Sequence, residues 1–184
     1  MSRPRCSVFV AMSLDGYVAR VDGSIDWLDG VQRPGEDYGF QAFFDSADAI
    51  VCGRKTFETA TGFPAWPYTG KRCVVLTHRA LPRRPGVEAH EGEPRPLLER
   101  LGAEGVRHVY VDGGTVISQF LAARLVDAMT VSVVPVLLGD GLRLFAGGGL
   151  EQGLSLVRSR AFESGLVQLE YGLVQPRTAP GLGL

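Results

Sequence analysis

Short apolar runs alternate with segments of helical spacing over the first two thirds of the chain. Cys6 to Met12 is apolar and rich in β-branched residues, and it stops at Ser13-Leu14-Asp15-Gly16. Ala49 to Cys52 stops at Gly53, Arg72 to Thr77 at His78-Arg79, and His108 to Val111 at Asp112-Gly113-Gly114. Runs of this length, bounded by turn residues, predict strands buried on both faces, as in a parallel sheet. Between them, apolar residues recur three and four apart. Asp37 to Ala47 carries Phe40, Phe43 and Phe44; Pro96 to Ala103 carries Leu97, Leu98 and Leu101; Thr115 to Leu125 carries Ile117, Phe120, Leu121 and Leu125. Each predicts a helix, the last with Thr115 as its N-cap.

After residue 126 the pattern changes. Ala128 to Leu138 predicts one long apolar strand, although it contains Pro135. Leu154 to Phe162 and Leu166 to Val174 alternate more clearly around Glu163-Ser164-Gly165, which predicts an antiparallel hairpin. The fold class expected is therefore α/β: a mostly parallel central sheet, helices on both faces, and a C-terminal antiparallel hairpin. One domain covers residues 1–175, and residues 176–184 (PRTAPGLGL) read as a disordered tail.

Composition narrows the partners. With 19 basic and 20 acidic side chains the net charge is -1, and mean hydropathy is +0.08, which excludes charge-driven disorder. No basic block exceeds Arg83-Arg84, so nucleic acid is a poor partner. No stretch approaches the ~18 apolar residues of a membrane span, and the apolar run near the N-terminus is too short for a signal segment. Cys6, Cys52 and Cys73 sit in strand-like runs and read as small buried hydrophobes in a reduced, cytoplasmic setting. His78, His90 and His108 lack metal-ligand spacing, so no metal is expected. The 24 glycines are about twice the number that average usage (~7%) would give, which implies many turns and close backbone approaches.

In open α/β sheets ligands bind at the carboxyl ends of the strands, so the strand exits carry the functional information. Gly113-Gly114, between a strand and a helix, suits either an anion at free helix amides or simply a tight turn. Gly53-Arg54-Lys55-Thr56 places two cations against a helix dipole, which fits a phosphate-rich ligand or a solvated basic turn. Thr77-His78-Arg79 offers a hydroxyl and a cation to a phosphate monoester such as the 2′-phosphate of NADP, or is a plain surface turn. The long segment from Ser13 to Leu28 is the kind of loop that usually serves function, and its Trp27 would pack on the core or on a flat ligand.

Six motifs in one order carry a family resemblance: CSVFVAMSLDGYVA, GSIDWL, AIVCGRKTFE, KRCVVLTHR, VYVDGGTVISQFL and VVPVLLGDGLRLF. Together they resemble the dihydrofolate-reductase-like superfamily over roughly residues 6 to 174. The greatest similarity is to the branch containing the reductase domain of the bifunctional riboflavin-biosynthesis deaminase–reductase. The resemblance implies NADPH lying across the sheet edge. Ala11, Val18 and Ala19 would meet its nicotinamide end through backbone atoms. Gly53, Arg54, Lys55 and Thr56 would bind the pyrophosphate and adenosine phosphate. Thr77, His78 and Arg79 would hold the adenosine side, with Arg79 at the 2′-phosphate. Gly113, Gly114, Thr115, Val116 and Ile117 would cradle the pyrophosphate.

The resemblance also points to a catalytic carboxylate. Counting back from Gly53 by the family's spacing reaches Asp37, which in an apolar pocket would bind a heterocycle and support proton delivery. Otherwise Asp37 is an acidic first-turn residue favoured by the helix dipole. Asp15, Asp26 and Trp27 fall where the riboflavin branch holds the substrate's ribosyl phosphate, and Arg143 would supply a cation for that phosphate. Asp112 departs from the branch, which commonly has glutamate there. The chain lacks the H-x-E and P-C-x-x-C pair of a zinc deaminase. The expected activity is NADPH-dependent reduction of a pteridine-like or aminopyrimidine heterocycle, resembling 5-amino-6-(5-phosphoribosylamino)uracil reductase. The alternatives are a dihydrofolate reductase and a non-catalytic NADP-binding module. The apolar run Val131 to Leu138 makes a homodimer plausible.

Overall fold

The computed structural model describes residues 3–145 and 151–174; the tail expected at 176–184 lies outside them. The chain runs through β1 (Arg5–Ser13), β2 (Tyr17–Ala19), a 3₁₀ turn (Asp26–Val31), α1 (Phe40–Ser46), β3 (Ala49–Gly53) and α2 (Arg54–Thr61). Then follow β4 (Arg72–Leu76), β5 (Val87–His90), α3 (Pro94–Ala103), β6 (His108–Asp112), α4 (Gly114–Ala122) and β7 (Ala128–Val134). The last strands are β8 (Leu142–Arg143), β9 (Leu154–Ala161) and β10 (Val167–Leu173). Eight strands form one sheet in the order β5-β4-β3-β6-β1-β7-β10-β9, parallel from β5 to β7 and antiparallel at β10 and β9. β2 and β8 pair separately.

The side-chain period of two divides the core. Ile50 and Cys52 of β3 pack with Cys73, Val75, Tyr110, Phe44 of α1 and Phe57 of α2 on one face. Val51 between them packs on the other face with Cys6, Val8, Val74, Val109, Val111 and the leucines of α3, together with Ile117 and Phe120 of α4. Helices thus cover both faces, which is why these strands read as unbroken apolar runs. All three cysteines are free and buried among them.

Several expectations shift. β7 ends at Val134, short of Leu138, because Pro135 has no N–H to continue a ladder; Val136 N donates back to the Val134 carbonyl at 2.8 Å instead. β7 also lies between β1 and β10, so Val131 to Val134 of the apolar run that suggested a homodimer are used inside the sheet, while Leu137 beyond them is exposed. The edges of the sheet are β5 and β9, and the eight residues of β9 are all exposed. Thr115 is not the N-cap of α4; Gly113 holds that position. α1 begins at Phe40 after a left-handed Gly39, which leaves Asp37 outside the helix. β5 has no apolar run to announce it: VEAH is a half-exposed edge strand.

Candidate active site

Two helices begin directly at neighbouring strand ends. β3 leads into α2 at Gly53, and β6 leads into α4 at Gly113; neither helix start has a side-chain cap. Their first-turn amides therefore lack side-chain partners and face the carboxyl edge of the sheet. The glycines allow the two turns to touch. A Cβ on Gly53 would stand 3.2 Å from Val116 Cγ2, and one on Gly113, at φ +89°, would stand 2.2 Å from Thr56 Oγ1. A Cβ on Gly114 would meet the Arg143 carbonyl at 3.3 Å and Val18 Cγ2 at 3.5 Å. Gly53, Thr56, Gly113, Gly114, Val116, Val18 and Arg143 are thus brought into one cluster. The bare backbone and uncapped amides fit a pyrophosphate, so the residues present suit a dinucleotide.

Within this group the roles divide by atom. The side chains of Val116 and Ile117 are buried in the core, so only their backbones border the turn. Ile117 N already donates to the Gly113 carbonyl at 2.9 Å, which removes it from the cradle expected of it. Thr115 and Lys55 are exposed. The Arg54 cation is not left for an anion to neutralise, as the sequence implied. Its Nε donates to Glu58 at 2.8 Å, and its Nη1 donates to the carbonyls of Arg79 (3.2 Å) and Ala80 (3.1 Å). Arg54 therefore ties the start of α2 to the loop after β4. In that loop Arg79 N donates to Thr77 Oγ1 at 3.2 Å, His78 is 80% exposed and faces Glu91, and Arg79 projects into solvent.

The loop after β1 is clamped by its own carboxylate. Asp15 accepts hydrogen bonds from Ser13 Oγ (2.6 Å), Leu138 N (3.1 Å) and Gly139 N (2.8 Å). The Ser13 hydroxyl first, and the Gly139 and Leu138 amides after it, hold its carboxyl down at about 2 against the effect of desolvation. Arg143 lies over the Tyr17 ring at 4.7 Å and donates to its hydroxyl at 3.0 Å. Asp15 is occupied in joining two loops, so it is not the free substrate ligand the motif suggested. Asp26 is exposed and paired with Arg20 at 2.7 Å. Trp27 is buried in a satellite core with Val31, Val134 and Leu166, against which Ala11 packs, and its Nε1 has no partner among the described residues.

Asp37 does not enter an apolar pocket. It is exposed, and Gly39 N donates to its Oδ1 at 2.7 Å, an arrangement that shapes the entry to α1. The carboxylate with the expected surroundings is Asp112, which sequence reasoning noted without assigning. It ends β6 beside Gly113, whose N donates to Oδ1 at 2.8 Å, while Tyr68 Oη donates to Oδ2 at 2.7 Å. Burial pushes its carboxyl above the ordinary range, while Tyr68 and Gly113 N pull it the other way. Tyr110 precedes it on the same face, where Phe40, 43% exposed, lies edge-on to Phe9 and Tyr110. A half-buried carboxyl and an open aromatic wall therefore share the face that carries α1 and α2. The signal was present in the sequence: a carboxylate immediately before a glycine pair at a strand end. A surface cavity of about 180 Å³ lined by Arg5, Ser7, His108 and Glu170 opens at the amino ends of the strands, away from the bare turns.

A mostly parallel sheet with uncapped, glycine-opened helices at its carboxyl edge and an antiparallel C-terminal hairpin defines a dihydrofolate-reductase-like α/β protein. The chain belongs to the RibD C-terminal domain family, whose model matches residues 4–168. It is 33% identical over 168 residues to YwjB, an uncharacterised protein of Bacillus subtilis strain 168, covering 89% of this chain and 95% of that one. It is 30% identical to riboflavin biosynthesis protein RibD of Corynebacterium ammoniagenes, covering 79% of this chain and 47% of that larger one. A crystal structure from Shewanella sp. PV-4, provisionally assigned to riboflavin biosynthesis, superposes with a TM-score of 0.86 at 33% identity, covering 93% of this chain and 99% of that one. Among the described residues no helix is long and apolar enough to cross a membrane, and no group of three or more His, Cys, Asp or Glu could hold a metal.

Proposed function

We propose that the protein is an NADPH-dependent reductase of a ribosylaminopyrimidine, the reaction class of 5-amino-6-(5-phosphoribosylamino)uracil reduction. The observation that carries this reading is the convergence of two uncapped, glycine-opened helix starts beside the half-buried carboxyl of Asp112. The α2 and α4 amides would hold the pyrophosphate, and Arg79 would meet the 2′-phosphate. Val18 and the backbone of Arg143 cover Gly114, while Ala11, packed on the Trp27 cluster, would border the nicotinamide end. When bound, the cofactor supplies a hydride; the protein's part is orientation, exclusion of water and proton supply.

Asp112 is the group suited to that last part. Hydride addition to a polarised double bond leaves an electron pair on the heteroatom, which must take up a proton. A carboxyl whose hold on its proton is strengthened by burial can donate one and regain it from solvent. Asp37 keeps a supporting part in shaping the α1 entry, which carries Phe40 to the aromatic wall of Phe9 and Tyr110. Arg143, seated on Tyr17, is the cation available for the substrate phosphate.

The test is NADPH oxidation with the ribosylaminopyrimidine and dihydrofolate assayed side by side. Turnover of the first substrate alone is expected. Turnover of dihydrofolate alone would overturn the substrate class, and NADPH binding without either turnover would make the protein a nucleotide-binding module.

A further inference from the structure

Each Asp112 oxygen is held by one donor. Gly113 N takes Oδ1, and Tyr68, from the loop between α2 and β4, takes Oδ2. The Tyr68 ring is buried and edge-on to Trp66, 5.1 Å between centroids, and Trp66 in turn packs on Phe57 of α2. The phenol therefore approaches from a direction fixed by packing, and little side-chain freedom is lost in making the bond. An aspartate offers about four acceptor positions, so two internal donors leave room for a ligand.

We propose that Tyr68 is a positioning residue for Asp112: its hydroxyl fixes the rotamer of the substrate-facing carboxyl and sets the balance between its acid and anion forms. This rests on the reading of Asp112 as the proton-handling group.

The groups around the carboxyl explain why one phenol matters. From β6 itself comes Tyr110, whose hydroxyl donates to the Phe9 carbonyl at 3.2 Å and also favours the Asp112 anion, less than Tyr68 and Gly113 N do. From β3 comes the Cys52 thiol, which lies 3.9 Å from Cys73 Sγ of β4. Among the described residues no cation contributes. With burial favouring the neutral acid and no positive charge opposing it, hydrogen-bond donors alone stabilise the anion. Burial pushes the Tyr68 phenol well above its ordinary range, so it stays protonated and remains a donor. Removing that hydroxyl should make the anion harder to form, and the carboxyl should hold its proton to higher pH.

The experiment is a carbon-13 NMR titration of the aspartate side-chain carboxyls in the whole protein, with the Asp112 signal assigned by its loss in Asp112→Asn. Tyr68→Phe should raise the Asp112 midpoint by about one to two pH units, the worth of a hydrogen bond to a charged group. Tyr110→Phe should move it less. Replacing the tyrosines by 3-fluorotyrosine, a stronger donor of nearly equal volume, should lower it without disturbing the packing. In turnover assays the alkaline limb of the kcat profile should move with the midpoint while NADPH affinity holds. An unchanged midpoint in both folded Tyr68→Phe and the fluorinated protein, or equal shifts for Tyr68→Phe and Tyr110→Phe, would overturn the inference. The titration needs no substrate, so it decides the role of Tyr68 separately from the reading of Asp112 as the proton-handling group, which falls if Asp112→Asn leaves turnover intact.

Discussion

Thr56 of α2 sits against Gly113 at the start of α4, so close that a Cβ on the glycine would lie 2.2 Å from Thr56 Oγ1. Two motifs far apart in the chain thus lock into one edge of the sheet. Gly113→Ala meets that contact and also a φ of +89°, which L side chains avoid. The expected loss is about 3 kcal/mol, or a fall in Tm of roughly 6–12 °C for a chain of this size. Adding Thr56→Ala should restore the steric part and leave the backbone part. A double-mutant cycle by thermal denaturation measures the split; fully additive losses would mean that the two residues do not interact.

Asp15 gives a prediction in pH. Its carboxyl is depressed to about 2 by Ser13 and by two amides of the 138–139 turn. A group whose folded pKa lies below its unfolded value stabilises the protein above the unfolded pKa, near 4. That contribution is lost as pH falls through the folded value. Asp15→Asn should therefore lower Tm at pH 7 and narrow the difference in Tm between pH 7 and pH 3. Scanning calorimetry at the two pH values checks this, and an unchanged difference would refute it.

Arg79 should separate the two nicotinamide cofactors. Its side chain projects into solvent from a loop that Arg54 and Thr77 hold in place. Arg79→Ala should weaken NADPH by about 10- to 100-fold, the worth of one or two charge-assisted hydrogen bonds, and leave NADH nearly unchanged. Fluorescence titration with both nucleotides measures this. An equal loss for the two would remove Arg79 from the 2′-phosphate.

The two candidate carboxylates are distinguished by one pair of variants. Asp37 is exposed, and asparagine can still accept the Gly39 hydrogen bond, so Asp37→Asn should keep turnover within about twofold. Asp112→Asn removes the proton and should lower kcat by about 10²- to 10⁴-fold, with NADPH affinity near normal. The reverse pattern in steady-state kinetics would return the catalytic role to Asp37.

The local pattern alone determined much of this. Buried parallel strands, the hairpin at Glu163-Ser164-Gly165 and the bare turns at Gly53 and Gly113 were all legible, because apolar run length, period and glycine placement report burial and turn geometry directly. What sequence could not supply was which groups satisfy one another. Asp15 reads as a free acid until Leu138 and Gly139 arrive from far along the chain. Arg54 reads as an unneutralised cation until the carbonyls of Arg79 and Ala80 meet it. Counting by family spacing reached Asp37, but a left-handed Gly39 delays the helix and leaves that carboxylate in solvent. β5 escaped notice because an edge strand with few apolar residues is set by its neighbour β4. Asp112 acquires its meaning only when Tyr68, Tyr110 and Cys52 surround it from separate elements. Desolvation and hydrogen bonding depend on what folding brings together, and those contacts turned an unassigned aspartate into the centre of the candidate site.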